Sequence, residues 1–224
     1  TLYAGEDVPM VSGTTPPMQN PEPELTHLSP GPQDALLIID VQNDFLPGGA
    51  LAVPEGDAIV PVIQQLSRLS FGLIVTSQDW HPAQHVSFQT ATPPGPWPPH
   101  CVAQTHGAAL SADLALPART QAVFKGTEAD KDSYSAFGGA DTHGTSLAAL
   151  LQHNGISRVF LCGLALDYCV QASALDARTA GFQAVVLTDA CRGIASDLTP
   201  TLNTLRAAGI ALCSSSALNS SLSG

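Results

Sequence analysis

The chain is 224 residues long with a formal net charge of −11, and only 12% of it is charged against 44% hydrophobic. That length suits one sizeable core, and a charged share below the usual ~25% argues against a disordered or coiled-coil protein. Eight Lys and Arg against nineteen Asp and Glu cannot neutralise a nucleic-acid backbone, and an acidic surface disfavours anionic membranes.

Residues 1–34 carry seven prolines among Gly, Ser, Thr and Glu without a hydrophobic period, and read as a disordered or extended N-terminal tail. Residues 35–224 read as a single α/β domain. Ala35–Ile39 is a short apolar run ending in Asp40, as expected of a strand buried on both faces. A helix is expected after Asp57, with Pro61 near its start. Strands are expected at Leu73–Thr76 and Gln121–Phe124, a helix at Thr145–Asn154 stopped by Gly155, and a strand at Arg158–Cys162. A helix from about Tyr168 to Ala180, a strand at Gln183–Thr188, a helix from about Leu198 to Ala208 and a strand at Ile210–Cys213 complete the pattern. Strands alternating with amphipathic helices predict a three-layer α/β/α domain around a six-stranded, mainly parallel sheet. The stretch 78–119 breaks the alternation, and its Trp80, His81, His85, Trp97, His100 and Cys101 mark it as functional rather than spare.

The five cysteines, 101, 162, 169, 191 and 213, are odd in number and form no CxxC pair. No apolar run approaches the ~20 residues of a membrane span, and no basic-then-apolar leader is present. Reduced thiols in a cytoplasmic protein are therefore expected.

In open α/β sheets ligands bind beyond the carboxyl ends of the strands. The expected strands run out into Asp40, into Asp79-Trp-His81, into Lys125 and into the segment ending at Cys169. Asp167 is a candidate N-cap for the helix after the fourth strand, placing Cys169 in its first turn, where the helix dipole would lower the thiol pKa. Position alone leaves Cys169 open between a reactive and an inert thiol, whereas Cys162 and Cys213, inside strands, read as structural. Lys125, one of only two lysines, could favour a thiolate, and Lys131 reads as a solvated loop residue. Asp40 is either a strand-end cap or a proton carrier. Asp79, His81, His85 and His100 are candidate ligands of one divalent ion. The His81–His85 spacing matches a metalloprotease helix, but Pro82 stands where that motif needs its Glu. His27, His106, His143 and His153 read as tail, loop or surface residues. Gln42 where haloacid-dehalogenase-type enzymes carry Asp disfavours phosphoryl transfer, and the lack of GxGxxG after the first strand disfavours dinucleotide binding.

Several of these segments, taken together, resemble the nicotinamidases (pyrazinamidases) of the isochorismatase-like cysteine hydrolases. They are Ala35-Leu-Leu-Ile-Ile-Asp-Val-Gln-Asn-Asp-Phe45, Gly48–Gly56, Ser77-Gln-Asp-Trp-His-Pro82, Trp97-Pro-Pro-His-Cys101, Lys125-Gly126, Asp132–Phe137, Gly163-Leu-Ala-Leu-Asp-Tyr-Cys169 and Thr188–Gly193. The resemblance covers about residues 35–213. It implies an amidohydrolase that converts nicotinamide to nicotinate and ammonia in NAD salvage. Asp40, Lys125 and Cys169 then match the catalytic residues, and Asp79, His81 and His100 match the metal ligands, with His85 a second choice. Phe45, Trp97 and Tyr134 match the ring pocket. A cis peptide before Ala165 is implied, turning the Ala165 and Cys169 amides toward an oxyanion. The implied cofactor is one divalent metal, zinc favoured, with iron or manganese also suited to Asp and His. The implied partner is a small molecule, with homo-oligomerisation left open. One departure is Leu166, where the family's nicotinamidases commonly carry Thr. A related amidase, a vinyl-ether hydrolase and a non-catalytic metal or small-ligand binding module remain the alternative readings.

Overall fold

In the computed structural model, which describes residues 28–222, alternation along one strand decides the architecture. Strand β1 (Asp34–Ile39) is buried along its whole length. Ala35, Leu37 and Ile39 enter one hydrophobic core, and Leu36 and Ile38 enter another on the opposite face. A strand with two apolar faces must be covered twice, and each fully buried Leu or Ile contributes roughly 1.5–3 kcal/mol. Helices α2 (Leu147–His153), α3 (Gln171–Thr179) and α4 (Thr199–Ala207) supply one cover through Leu147, Leu151, Ala174, Ala177 and Leu205. Helix α1 (Val60–Leu66) supplies the other through Val60, Ile63 and Leu66, with Leu218 from the C-terminal segment beside it.

Strands β2 (Leu73–Asp79), β3 (Gln121–Lys125), β4 (Arg158–Leu164), β5 (Gln183–Arg192) and β6 (Ala211–Cys213) join β1 in one sheet of order β3-β2-β1-β4-β5-β6. Every neighbouring pair is parallel. The strand order reverses direction between β1 and β4, and such a switch point opens a crevice at the carboxyl ends of those two strands. The expected six strands are all present, but β2 and β5 run on through polar residues to Asp79 and Arg192. The expected helix at 168–180 begins instead as a π-helical turn, Leu166–Val170, before α3.

The first 27 residues, including His27, lie outside the described set. The boundary expected at residue 34 falls inside the fold. Asp34 opens β1, its carboxylate accepts Arg158 Nε and Nη2 at 2.7 and 2.8 Å, and Leu28 N–H donates to Ala217 O. Among the described residues no helix is long and apolar enough to cross a membrane.

Candidate active site

Four neighbouring strands deliver the reactive side chains. Asp79 and Lys125 are register partners in the β2–β3 ladder, so they lie side by side and the Lys125 ammonium donates to Asp79 Oδ1. Asp40 follows β1 in a left-handed conformation, φ +51°, which costs a non-glycine residue about 1–2 kcal/mol. Ser77 secures that turn twice: its carbonyl accepts Asp40 N–H, and its hydroxyl donates to Asp40 Oδ1 at 2.7 Å. Asp40 Oδ2 lies 2.9 Å from Lys125 Nζ and is otherwise a free buried acceptor among the described residues. Cys169 Sγ lies 3.5 Å from the same ammonium. Lys125 thus touches all three of Asp40, Asp79 and Cys169, and its contact with Asp79 was not anticipated from sequence. Nor were Ser77 and Gln42. Gln42 clamps the end of β2 by accepting Asp79 N–H and donating to Asp79 O and Ala108 O.

Burial sets the charge states. It works against the Lys125 cation, yet Asp40 and Asp79 hold that cation well above its ordinary range. Burial also works against the Asp79 carboxylate, and Lys125 with the neighbouring histidines holds it well below its ordinary range. Asp40 is raised by burial, with Lys125 opposing. The Cys169 thiol is pushed well above its ordinary value by burial, with Lys125 only partly compensating. This corrects the expected low-pKa thiol. Asp167 does not cap the helix either, since the turn carrying Cys169 starts at Ala165 without a side-chain cap. The peptide between Leu164 and Ala165 is cis, as the resemblance implied.

Beside this trio, Asp79, His81 and His100 gather three ligand atoms within 4.8 Å of one another, all on buried residues. Asp79 Oδ2 lies 3.4 Å from His81 Nε2 and 3.7 Å from His100 Nε2. The other ring nitrogens face backbone carbonyls, His81 Nδ1 on Gly126 O at 2.7 Å and His100 Nδ1 on Pro98 O at 2.8 Å. A carbonyl can only accept, so each Nδ1 carries the proton and each Nε2 presents its lone pair, the arrangement metal-ligating histidines adopt. The donor set fits one divalent ion. His85 stacks on His81, but its ring nitrogens are engaged by Ser87 Oγ and Lys131 O, which leaves it outside the trio.

Gly126 explains the Lys-Gly pair. It sits at φ +61°, and a Cβ there would lie 2.4 Å from His81 Cε1. Gly126→Ala should displace the His81 ring and weaken divalent-metal affinity by about 10- to 100-fold, the usual cost of disturbing an outer-shell partner. Divalent metal retained after dialysis against graded chelator reads this directly.

A small pocket joins the two groups. Cys169, Asp79 and His100 form its polar base, and Phe45, Leu51, Val53, Trp97, Tyr134, Ala165, Tyr168 and Ile194 line the rest. Trp97 Nε1 donates to the Tyr134 hydroxyl at 3.0 Å, and Tyr168 packs edge-on against both rings. The ring-pocket residues expected from the resemblance therefore converge here. A larger open groove bordered by Asp44, Gln64 and Asp113 holds neither a thiol nor a lysine.

The family model of the isochorismatase domain matches residues 34–216. The chain belongs to the isochorismatase family. Within it, the chain is 44% identical over 175 residues to a nicotinamidase of Acinetobacter baylyi, covering 71% of this chain and 81% of that one. Among solved structures it is similar to PnC1 of L. infantum in complex with nicotinate, with a TM-score of 0.79 and 43% identity over 86% of this chain and 98% of that chain. It is also similar to the pyrazinamidase of Pyrococcus horikoshii in complex with zinc, with a TM-score of 0.73 and 42% identity over 81% and 99% of the two chains. The departure at Leu166 touches the core rather than the pocket. Leu166 is buried in the cluster formed with Val170, Ala174 and Leu205, and its side chain does not line the cavity.

Proposed function

We propose that the chain hydrolyses nicotinamide to nicotinate and ammonia through a thioester on Cys169, in the salvage of NAD. The observation that carries this reading is a single pocket lined by Cys169, Asp79 and His100, with Lys125 joining Cys169 to Asp40 and Asp79 beside it and His81 completing the donor trio next to Asp79. That spacing suits a flat ring bearing a carboxamide at one position and a ring nitrogen at another. The kinship with a nicotinamidase and with a nicotinate-bound structure supports the same substrate.

Cys169 attacks the amide carbon as Asp40, the free acceptor at Oδ2, takes the thiol proton. A carboxylate with raised proton affinity suits that task, and the same proton then goes to the departing amine as the C–N bond breaks. Asp40 next deprotonates a water, which adds to the thioester carbon, and the proton returns to sulfur as the C–S bond breaks. Lys125 keeps Asp40 ionised between these steps. The backbone amides of Ala165 and Cys169 receive the oxyanion, a contribution worth about 100- to 1,000-fold per donor. Phe45, Trp97 and Tyr134 hold the ring. Asp79, His81 and His100 would hold the metal, zinc first among those this donor set suits. A divalent ion bound there supplies a Lewis-acid partner for the ring nitrogen, which fixes the ring's orientation.

Residues from Leu28 onward serve this chemistry as one hydrolytic domain, and a catalytic free thiol supports a reducing, cytoplasmic setting. Ammonia release from nicotinamide and from benzamide, each with and without a chelator, tests the proposal. Nicotinamide should be turned over far faster, and chelation should abolish that advantage. Equal turnover of both amides, indifferent to chelation, would overturn the metal-oriented ring.

A further inference from the structure

Asp167 and the segment Thr188–Gly193 stand out in the sequence, yet the mechanism uses neither. The structure ties them together. Asp167, two residues before Cys169, accepts Ile194 N–H on Oδ1 at 3.0 Å and Ala195 N–H on Oδ2 at 2.9 Å. Both amides belong to the irregular stretch between β5 and α4. Among the described residues no backbone–backbone hydrogen bond reaches residues 193–197, so the Asp167 carboxylate is what holds this stretch to the turn carrying Cys169. Gly193 makes room for it, because a Cβ there would lie 3.0 Å from Asp167 Oδ1 and 2.4 Å from Leu198 Cδ2. The side chain held in place is Ile194. It lines the same pocket as Cys169 and His100 and stands 37% exposed at the rim, as Tyr134 does at 38%.

We propose that Ile194 is the specificity wall of the pocket and that Asp167 is the positioning residue that holds the wall in place. The inference rests on the nicotinamidase reading. A nicotinamide with its nitrogen toward Asp79 and His100 and its carboxamide toward Cys169 turns the edge N1–C2–C3 to the polar base. The opposite edge, centred on C5, then faces the rim. A substituent at C5 therefore meets Ile194, and the width of the pocket at that point is set by a carboxylate on the nucleophile's own turn. Asp167 acts through Ile194 and touches no reacting atom.

The test compares kcat/KM for nicotinamide and 5-methylnicotinamide in the full chain and in Ile194→Ala, Asp167→Ala and Asp167→Asn. One methyl group against an apolar wall is worth about 10- to 200-fold in discrimination. Ile194→Ala should therefore raise the 5-methylnicotinamide to nicotinamide ratio by about 10-fold or more, chiefly through KM of the methylated substrate. Asp167→Ala should move the ratio the same way by releasing the wall, and Asp167→Asn, which keeps one acceptor oxygen, should fall between. If Asp167→Ala does not fold, the Asp167→Asn ratio decides alone. An unmoved ratio in Ile194→Ala overturns the wall. A ratio moved by Ile194→Ala but by neither Asp167 variant overturns the positioning role, because a merely structural carboxylate would lower both substrates equally. Failure of the parent reading looks different: the unaltered chain would then release no ammonia from nicotinamide.

Discussion

Cys169→Ala should reduce kcat for ammonia release from nicotinamide by on the order of 10⁴-fold or more, the scale at which removing a covalent nucleophile acts. Ring binding should survive, because Phe45, Trp97 and Tyr134 line the pocket independently of the thiol. Quenching of tryptophan fluorescence by nicotinate reads that binding separately from turnover. A Cys169→Ala variant that still releases ammonia at near the original rate would refute the thioester. The buried thiol adds a pH signature. Burial holds Cys169 protonated well above the ordinary thiol range, so iodoacetamide should label it slowly at neutral pH and faster as pH rises. On the proposed mechanism the thiolate forms during attack, with Asp40 as acceptor, rather than being stored in the resting site.

Lys125→Met should be the most destabilising single substitution in the site. Lys125 is 1% exposed and faces two buried carboxylates, Asp40 at 0% and Asp79 at 5%. Removing one partner of a buried charge network strands the others, at about 3–5 kcal/mol. Urea unfolding at neutral pH should show that loss. The double variant Lys125→Met with Asp40→Asn should recover part of it by removing one stranded charge. The deficit should also shrink as pH falls. In the unaltered chain Asp79 has a depressed pKa, and the stability this contributes is lost as pH falls through the folded-state value. In the variant the stranded carboxylates instead take up protons readily and lose their penalty. Unfolding of Lys125→Met at the original urea midpoint across this range would remove the network from the account.

The sheet was legible because five apolar residues in a row, Ala35–Ile39, have no other economical fate than a strand covered twice. Its polar ends were not. Ser77, Gln78 and Asp79 continue β2 because they pair with Val123, Phe124 and Lys125 of β3, with Asp40 and Gln42 bonding to Ser77 and Asp79, and an apolar-pattern reading stops where the apolar residues stop. The trio, Asp79 and His81 could be gathered at one edge from strand ends, since parallel strands all point their carboxyl ends the same way, but His100 lies in the long 78–119 stretch and was preferred to His85 only through the family resemblance. The contact between Lys125 and Asp79 depends on the register of β2 against β3, which no local signal encodes. Asp167 was misread for a similar reason. An Asp beside a helix start normally caps it, but here amides 27 and 28 residues away claim both oxygens. Helix-dipole reasoning about Cys169 was local too, and the depth of its burial outweighs it.

The strand order has a consequence for how the polypeptide comes into being. Strand β1 meets β2 soon after it leaves the ribosome, but its other neighbour, β4, lies far downstream: the Asp34–Arg158 pair closes a separation of 124 residues. During synthesis of that stretch the Ala-Leu-Leu-Ile-Ile edge has unpaired amides and carbonyls and no cover, the condition that invites strand addition by other chains. Ribosome-stalled or truncated products ending before residue 158 should therefore be captured by chaperones or aggregate. The central position that makes β1 the anchor of the finished site also makes it the chain's most exposed liability before the site exists.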